Sequence, residues 1–226
     1  MQIVITGGAG FLGVRLARTL LAKGSLSLAG NSPAAISKLT LVDRAAPPAD
    51  LAADPRVAVL TGDLNALLEE KDAKTPVVSP QTAIIFHLSA AVSGECEADF
   101  DLGMRSNFKA TLNLLENCRA LKTQPMVVFA SSLAVFGHSA ELPCPPVIED
   151  TTLPTPQTSY GIQKLIGEQL VADFTRKGFI RGRNTRLMTV SVRPGKPNGA
   201  ASVSDQRTVS PFIRRSPRAG PRRRAR

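Results

Sequence analysis

Cysteine and histidine are scarce in this chain, and their scarcity narrows its chemistry. Three cysteines (Cys96, Cys118, Cys144) are scattered over 226 residues. They are too few and too separated for a disulfide framework, and none has the spacing of a zinc-binding turn. A reducing compartment is the simplest expectation. Two histidines, His87 and His138, give no set from which a histidine-built metal site could be assembled, so no metal is expected. Long hydrophobic runs are missing too, since nothing approaches the roughly 20 apolar residues that a membrane span requires. Gln2 leads directly into a strand-like run, without the basic region and cleavage site of a signal peptide. These absences predict a cytoplasmic protein with no membrane partner. Tyrosine is scarcer still: Tyr160 is the only one, so any role that needs a phenol falls on it.

What is present is ordinary for a globular protein, at 43% hydrophobic and 20% charged residues, and the length suits one good core. The net charge of +10 is uneven. Residues 203–226 hold eight arginines against one acid, Asp205, which places +7 there and leaves +3 for the other 202 residues. That stretch lacks both the helical and the strand period, and its Pro, Ser and Arg content cannot bury a core. It is expected to be disordered. The abrupt change near Ser202 suggests an altered reading frame or a truncated product. A basic run attracts nucleic acid nonspecifically, and a single aromatic, Phe212, makes no recognition module. No specific nucleic-acid partner is expected.

Strand and helix signals alternate from the N-terminus. Ile3–Thr6 is a β-branched run, and Phe11–Lys23 carries apolar residues at helical spacing with Gly24 as a stop. Residues 25–36 are small and polar, a surface excursion. Lys38–Asp43, a segment within Arg56–Asp63, Thr82–Ala90, Pro125–Ser132 and Arg186–Gly195 read as further strands. Helices are expected over Phe100–Leu121 and Tyr160–Arg176, with a proline-rich loop from Leu142 to Pro156. Such alternation predicts an α/β fold, a Rossmann-type doubly wound parallel sheet covered on both faces, in the order 3-2-1-4-5-6. A ligand then binds at the carboxyl ends of the strands.

The first strand–helix junction reads TGGAGFLG. Gly7 permits a tight turn, Gly10 lets backbone approach a pyrophosphate, and Gly13 permits close helix–strand packing, with the helix N-terminus facing the anion. Asp43 ends the second strand, where a carboxylate can accept both ribose hydroxyls and repel a 2′-phosphate; this favours NAD over NADP. It lies 30 residues beyond Gly13, against the usual spacing of about 20, and the 25–36 excursion accounts for the excess. Arg44 weakens the preference, because an arginine can serve a phosphate. Asp63 suits an adenine amino group, or equally a helix N-cap before Asn65–Glu69. His87–Ala91 would floor the nicotinamide ribose, with His87 itself a packed core residue. The candidate cofactor-binding set is Gly7, Gly10, Phe11, Leu12, Gly13, Asp43, Asp63, Leu64, Leu88, Ala90, Tyr160 and Lys164.

Tyr160 and Lys164 are four apart and share one helical face. A nearby ammonium lowers the phenol's pKa from about 10 toward working pH, so Tyr160 can act as general base toward an alcohol. Ser132, at the end of the fifth strand, would hold that hydroxyl or the forming carbonyl oxygen.

TGGAGFLG, Asp43, Asp63, HLSAA, SNFKATLNLLENC, SSLAVFG and YGIQK, in this order, resemble the extended short-chain dehydrogenase/reductase superfamily, which includes NAD-dependent epimerases and dehydratases. The resemblance implies that Asn107 organises a proton relay behind Lys164, completing the catalytic set Ser132, Tyr160, Lys164 and Asn107. It also implies a homodimer through helices 100–121 and 160–176. A narrower resemblance lies in AAVSGECEADFDLG, PQTSYGIQK and SVRPGKPNGAAS. It points to a branch that uses NAD to oxidise the C2 hydroxyl of a small sugar acid, D-erythronate, to a 2-oxo acid. There Ser93, Ser132, Tyr160 and Asn198 would contact the substrate.

The expected organisation is an NAD-binding domain over 1–202 carrying the catalytic residues, then the arginine-rich tail over 203–226. Extended members usually continue with a small substrate lobe, which the tail replaces here, so turnover is expected to be impaired. Two alternatives stand beside the dehydrogenase: a nucleotide-sugar 4-epimerase or dehydratase, which retains its cofactor through the cycle, and a noncatalytic NAD-binding fragment.

Overall fold

A computed structural model describes residues 1–28, 30–70 and 74–188. Its centre is a six-stranded parallel sheet. The strands are β1 (Gln2–Thr6), β4 (Lys38–Asp43), β5 (Val57–Thr61), β6 (Thr82–His87), β7 (Met126–Ser132) and β8 (Arg181–Leu187), in the spatial order β5-β4-β1-β6-β7-β8. Counted along the chain, this is the expected 3-2-1-4-5-6. Order reverses between β1 and β6, where helices leave for opposite faces and open a crevice at the carboxyl edge.

The near-continuous apolar runs are explained by burial of both sheet faces. In β1, Ile3 and Ile5 point into one core with Leu39, Leu41 and Ile84, beneath α1 (Phe11–Lys23) and α2 (Ala49–Ala52). Val4 between them faces the other core with Val42, Ile85, Val127 and Phe129, under α3 (Leu64–Glu69), α6 (Ala110–Leu121) and α7 (Ser159–Arg176). Successive side chains on a strand alternate faces, so a strand apolar on both sides requires two cores. The 25–36 excursion is largely a minimal hairpin, with β2 (Ser25–Leu26) paired antiparallel to β3 (Ala34–Ala35).

Two expectations need correction. The sixth strand does not begin at Arg186: β8 starts five residues earlier, at Arg181, and pairs with β7 residue by residue from Met126↔Arg181 to Ser132↔Leu187. Its sequence, RGRNTRL, hides the strand from an apolar pattern because β8 lies at the edge of the described sheet, half-exposed along its length, where arginine is tolerated. Residues 189–195 of the expected strand lie outside the described residues, as does the 203–226 tail. Nor is Phe100–Leu121 one regular helix. After α4 (Ser93–Ala98) come α5 (Phe100–Gly103), a π-helical turn over Met104–Lys109, and only then α6. The wide turn surrounds Asn107, whose buried side chain is drawn inward to bond the backbone of Ala91. Such turns recur at functional sites.

Candidate active site

The glycine turn is built for close approach. Gly7 has φ +72°, a left-handed conformation that favours glycine, and its N–H donates to Val42 O at 2.8 Å, tying the turn to β4. At Gly13 a Cβ would stand 2.1 Å from Gly7 O, so the first turn of α1 can sit on the loop only because that position lacks one. Helix α1 begins at Gly10 without a capping side chain. The amides of Phe11, Leu12 and Gly13 thus form an N-terminus with partial positive charge, on residues that line a large cleft.

That cleft has a volume of about 680 Å³ and runs along the carboxyl edge of the sheet. Gly7, Gly10, Phe11, Leu12, Gly13, Asp43, Asp63 and Leu64 line one end of the candidate set, and Leu88, Ala90, Ser93, Ser132, Tyr160 and Lys164 line the rest. The fold thus brings together every sequence-predicted contact residue among those described. Asn198 lies outside the described residues. Asn107 does not line the cleft; it lies behind it, 3% exposed.

Asp43 closes the glycine loop as well as facing the cleft, accepting from Ala9 N at 3.0 Å and Ala45 N at 3.2 Å. Each carboxylate oxygen keeps acceptor capacity for a further hydroxyl. Asp63 takes the N-cap role, receiving Asn65 N at 3.0 Å. Arg44 lies 2.6 Å from Asp63 and holds its carboxyl below the usual range. This half-exposed pair engages the one arginine beside Asp43.

At the other end, Ser132 Oγ accepts from Ala134 N at 3.1 Å, which leaves its own proton and a lone pair for a ligand oxygen. Lys164 is 3% exposed and donates from Nζ to Ala130 O at 2.8 Å. Its ammonium lies 5.6 Å from the Tyr160 ring centroid and 4.9 Å from that of Phe129. Burial pushes the Lys164 amine down to about 8, because the charged form loses hydration.

Behind the lysine runs a buried polar chain through Asn107, Thr111, His87 and Thr6. Thr111 donates to Asn107 O at 2.5 Å, and His87 Nε2 is 3.0 Å from the same hydroxyl. With its single proton committed, Thr111 must accept from His87, which assigns the Nε2–H tautomer. Nδ1 then accepts from Thr6 at 2.7 Å. His87 is the packed core residue expected of it; burial, helped by Lys164, pushes its pKa down to about 3. The Asn107 side chain accepts from Ala91 N at 2.8 Å and donates to Gln163 Oε1 at 2.9 Å. A second group, unread in sequence, is Ser131, Glu168 and Arg186. The Ser131 hydroxyl donates to Glu168 at 2.5 Å, and Arg186 binds the same carboxylate at 2.9 and 2.7 Å. The spacing Tyr160, Lys164, Glu168 along one helical face was the available signal.

The family profile described as the NAD dependent epimerase/dehydratase family matches residues 3–215. The chain is 53% identical over 204 residues to the D-erythronate dehydrogenase of Cupriavidus necator, covering 89% of this chain and 59% of that relative. It therefore spans less than two thirds of the curated protein it matches. Among solved structures, the nucleoside-diphosphate-sugar epimerase from Agrobacterium tumefaciens superimposes with a TM-score of 0.75 at 41% identity, over 89% of this chain and 56% of that one. The UDP-glucose 4-epimerase from Brucella ovis in complex with NAD gives 0.61 at 26% identity, over 82% and 51%.

Proposed function

The chain belongs to the NAD dependent epimerase/dehydratase family, and on that premise we propose that it acts as an NAD-dependent dehydrogenase. Its reaction is oxidation of the C2 hydroxyl of a small sugar acid, D-erythronate or a near analogue, to the 2-oxo acid. One observation carries the reading: a single cleft joins the glycine turn and Asp43 at one end to Ser132, Tyr160 and Lys164 at the other. The identity to D-erythronate dehydrogenase directs the choice of substrate.

The residues present fit a dinucleotide. The α1 N-terminus presents amide donors to a pyrophosphate, with Gly7 and Gly13 leaving the backbone uncovered. Asp43 retains acceptor capacity for ribose hydroxyls. Bound there, the nicotinamide ring supplies the hydride acceptor. Tyr160, with the Lys164 ammonium 5.6 Å from its ring centroid, takes the hydroxyl proton as the hydride leaves the carbon that bears the hydroxyl. Ser132 donates to the oxygen that becomes the carbonyl. Lys164 is kept in place by Ala130 O, and Asn107 stiffens the wall behind it. Ser93 on the cleft and Asn198 complete the proposed substrate contacts. The proposal includes a homodimer through helices 100–121 and 160–176, which light scattering at twice the chain mass would support and at the chain mass would oppose.

The Agrobacterium structure, named as an epimerase, favours the second reading, a nucleotide-sugar 4-epimerase. One assay separates the two. The purified chain is given NAD and D-erythronate while reduced-cofactor absorbance is followed, beside Tyr160→Phe. NADH formation that disappears in Tyr160→Phe supports the dehydrogenase. Interconversion of UDP-sugar epimers without net NADH replaces it with the epimerase. NAD binding by calorimetry with neither turnover leaves a cofactor-binding protein.

A further inference from the structure

Helix α7 places Tyr160, Lys164 and Glu168 on one face at four-residue spacing. Lys164 and Glu168 are both 3% exposed, and a lysine and a glutamate four apart on a helix are ordinarily ion-pair partners. In a low-dielectric interior their attraction would be strong. They do not pair. Lys164 donates instead to Ala130 O. Every polar contact of the Glu168 carboxylate is made elsewhere: Oε1 accepts from Ser131 Oγ and Arg186 Nε, and Oε2 accepts from Arg186 Nη2.

The arrangement is imposed by the sheet. Ser131 and Arg186 are register partners across β7 and β8, so both groups reach the carboxylate from one fixed rung. The guanidinium fork matches a carboxylate bidentately, and its central carbon lies 4.9 Å from the Phe136 ring centroid. We propose that Arg186 is a positioning residue that sequesters Glu168 from Lys164, so that the lysine's charge acts on the Tyr160 phenol without a counter-ion beside it. This rests on the reading of Tyr160 as the base.

Among the described residues, neighbouring elements bring no competing carboxylate to Lys164. His87 on β6 is held neutral by burial, and burial raises the pKa of the Cys96 thiol on α4. Glu95 on α4 accepts from Val92 N, and Glu97 from Ser159 N. Asp150, on the loop before α7, acts on Arg186. Asp101, Arg105, Lys109 and Arg119, on the helical segments packed against α7, are exposed. If Arg186 were lost, Glu168 would be free to neutralise Lys164, and the phenol would return toward its ordinary value.

The chain offers a direct readout, because Tyr160 is its one tyrosine and it has no tryptophan. Near-ultraviolet absorbance of tyrosinate, titrated against pH on the full chain, reports Tyr160 alone. Arg186→Gln is expected to move the midpoint up by about one pH unit. The paired variant Glu168→Gln/Arg186→Gln removes both charges and is expected to return it to the wild-type position, which a purely structural role would not do. A wild-type midpoint in folded Arg186→Gln overturns the proposal, as does a double variant that stays shifted. Arg186→Gln leaves a buried carboxylate unpaired; if it does not fold, Arg186→Lys, which lacks the bidentate fork, takes its place beside the double variant. A midpoint below wild type there would mean that Glu168 already opposes Lys164, which ends the proposal. The titration needs no substrate, so a failed dehydrogenase assay and a failed titration are separate results.

Discussion

Asn107, within the π-helical turn, donates through its side-chain amide to the Gln163 oxygen at 2.9 Å, and Gln163 immediately precedes Lys164. The bond ties the irregular turn to the helix that carries the tyrosine and lysine. The same side chain also holds both the N–H and the C=O of Ala91 on the cleft wall. Asn107→Ala is therefore expected to leave a buried amide and a buried glutamine without partners, at a cost of about 2–3 kcal/mol. Chemical denaturation measures it, and an unchanged midpoint would show that the network contributes nothing.

Gly13→Ala should act on the cofactor end. The added Cβ meets a backbone carbonyl at 2.1 Å, not a movable side chain, so the turn must open. Dinucleotide affinity is expected to fall by about tenfold or more, roughly 1.4 kcal/mol, together with the melting temperature. Calorimetry showing wild-type affinity would remove the glycine turn from the binding site.

His87 gives a pH dependence with a definite sign. Its folded pKa of about 3 lies below the ordinary value of 6.5, so the unfolded chain binds a proton that the folded chain refuses. The neutral histidine's contribution is complete above 6.5 and is lost as pH falls from there toward 3, at about 1.4 kcal/mol per pH unit. His87→Gln should flatten this part of the stability profile measured by denaturant unfolding. A slope unchanged in the variant would assign it to other groups.

Lys164 works with the opposite consequence for design. Its amine sits at about 8 in the fold against an ordinary 10.5, so below pH 8 the buried charge is a standing penalty that is relieved between those two values. Lys164→Met is expected to stabilise the cofactor-free chain at neutral pH by about 2–3 kcal/mol while abolishing turnover. A melting temperature at or below wild type would count against a charged, buried lysine.

The site was readable in sequence wherever its chemistry is local. Asp43 ends a strand and Ser132 another, which puts both on the carboxyl edge; helical spacing gives Tyr160 and Lys164 a common face, and the strand-end Ser132 and the family resemblance tie that face to the edge. Asp63 was ambiguous because one carboxylate can both cap a helix and face a cleft, and it does both. Arg44 has, in sequence, the look of a phosphate ligand; its pairing with Asp63 depends on two loops meeting, which no local pattern encodes.

The doubly wound order, the glycine turn and the strand ends that carry Asp43 and Ser132 are legible in the chain. Those follow from hydrophobic period, from the conformations open to glycine and from helical spacing, all of which are properties of short segments. Tertiary structure alone decided that Glu168 belongs to Arg186 and Ser131 and not to Lys164. It also decided that helix 100–121 opens at Asn107, and that RGRNTRL is a strand. Each depends on which residue lies opposite which across a sheet rung or a packed helix face. A buried polar group takes its character from the partner that meets it there.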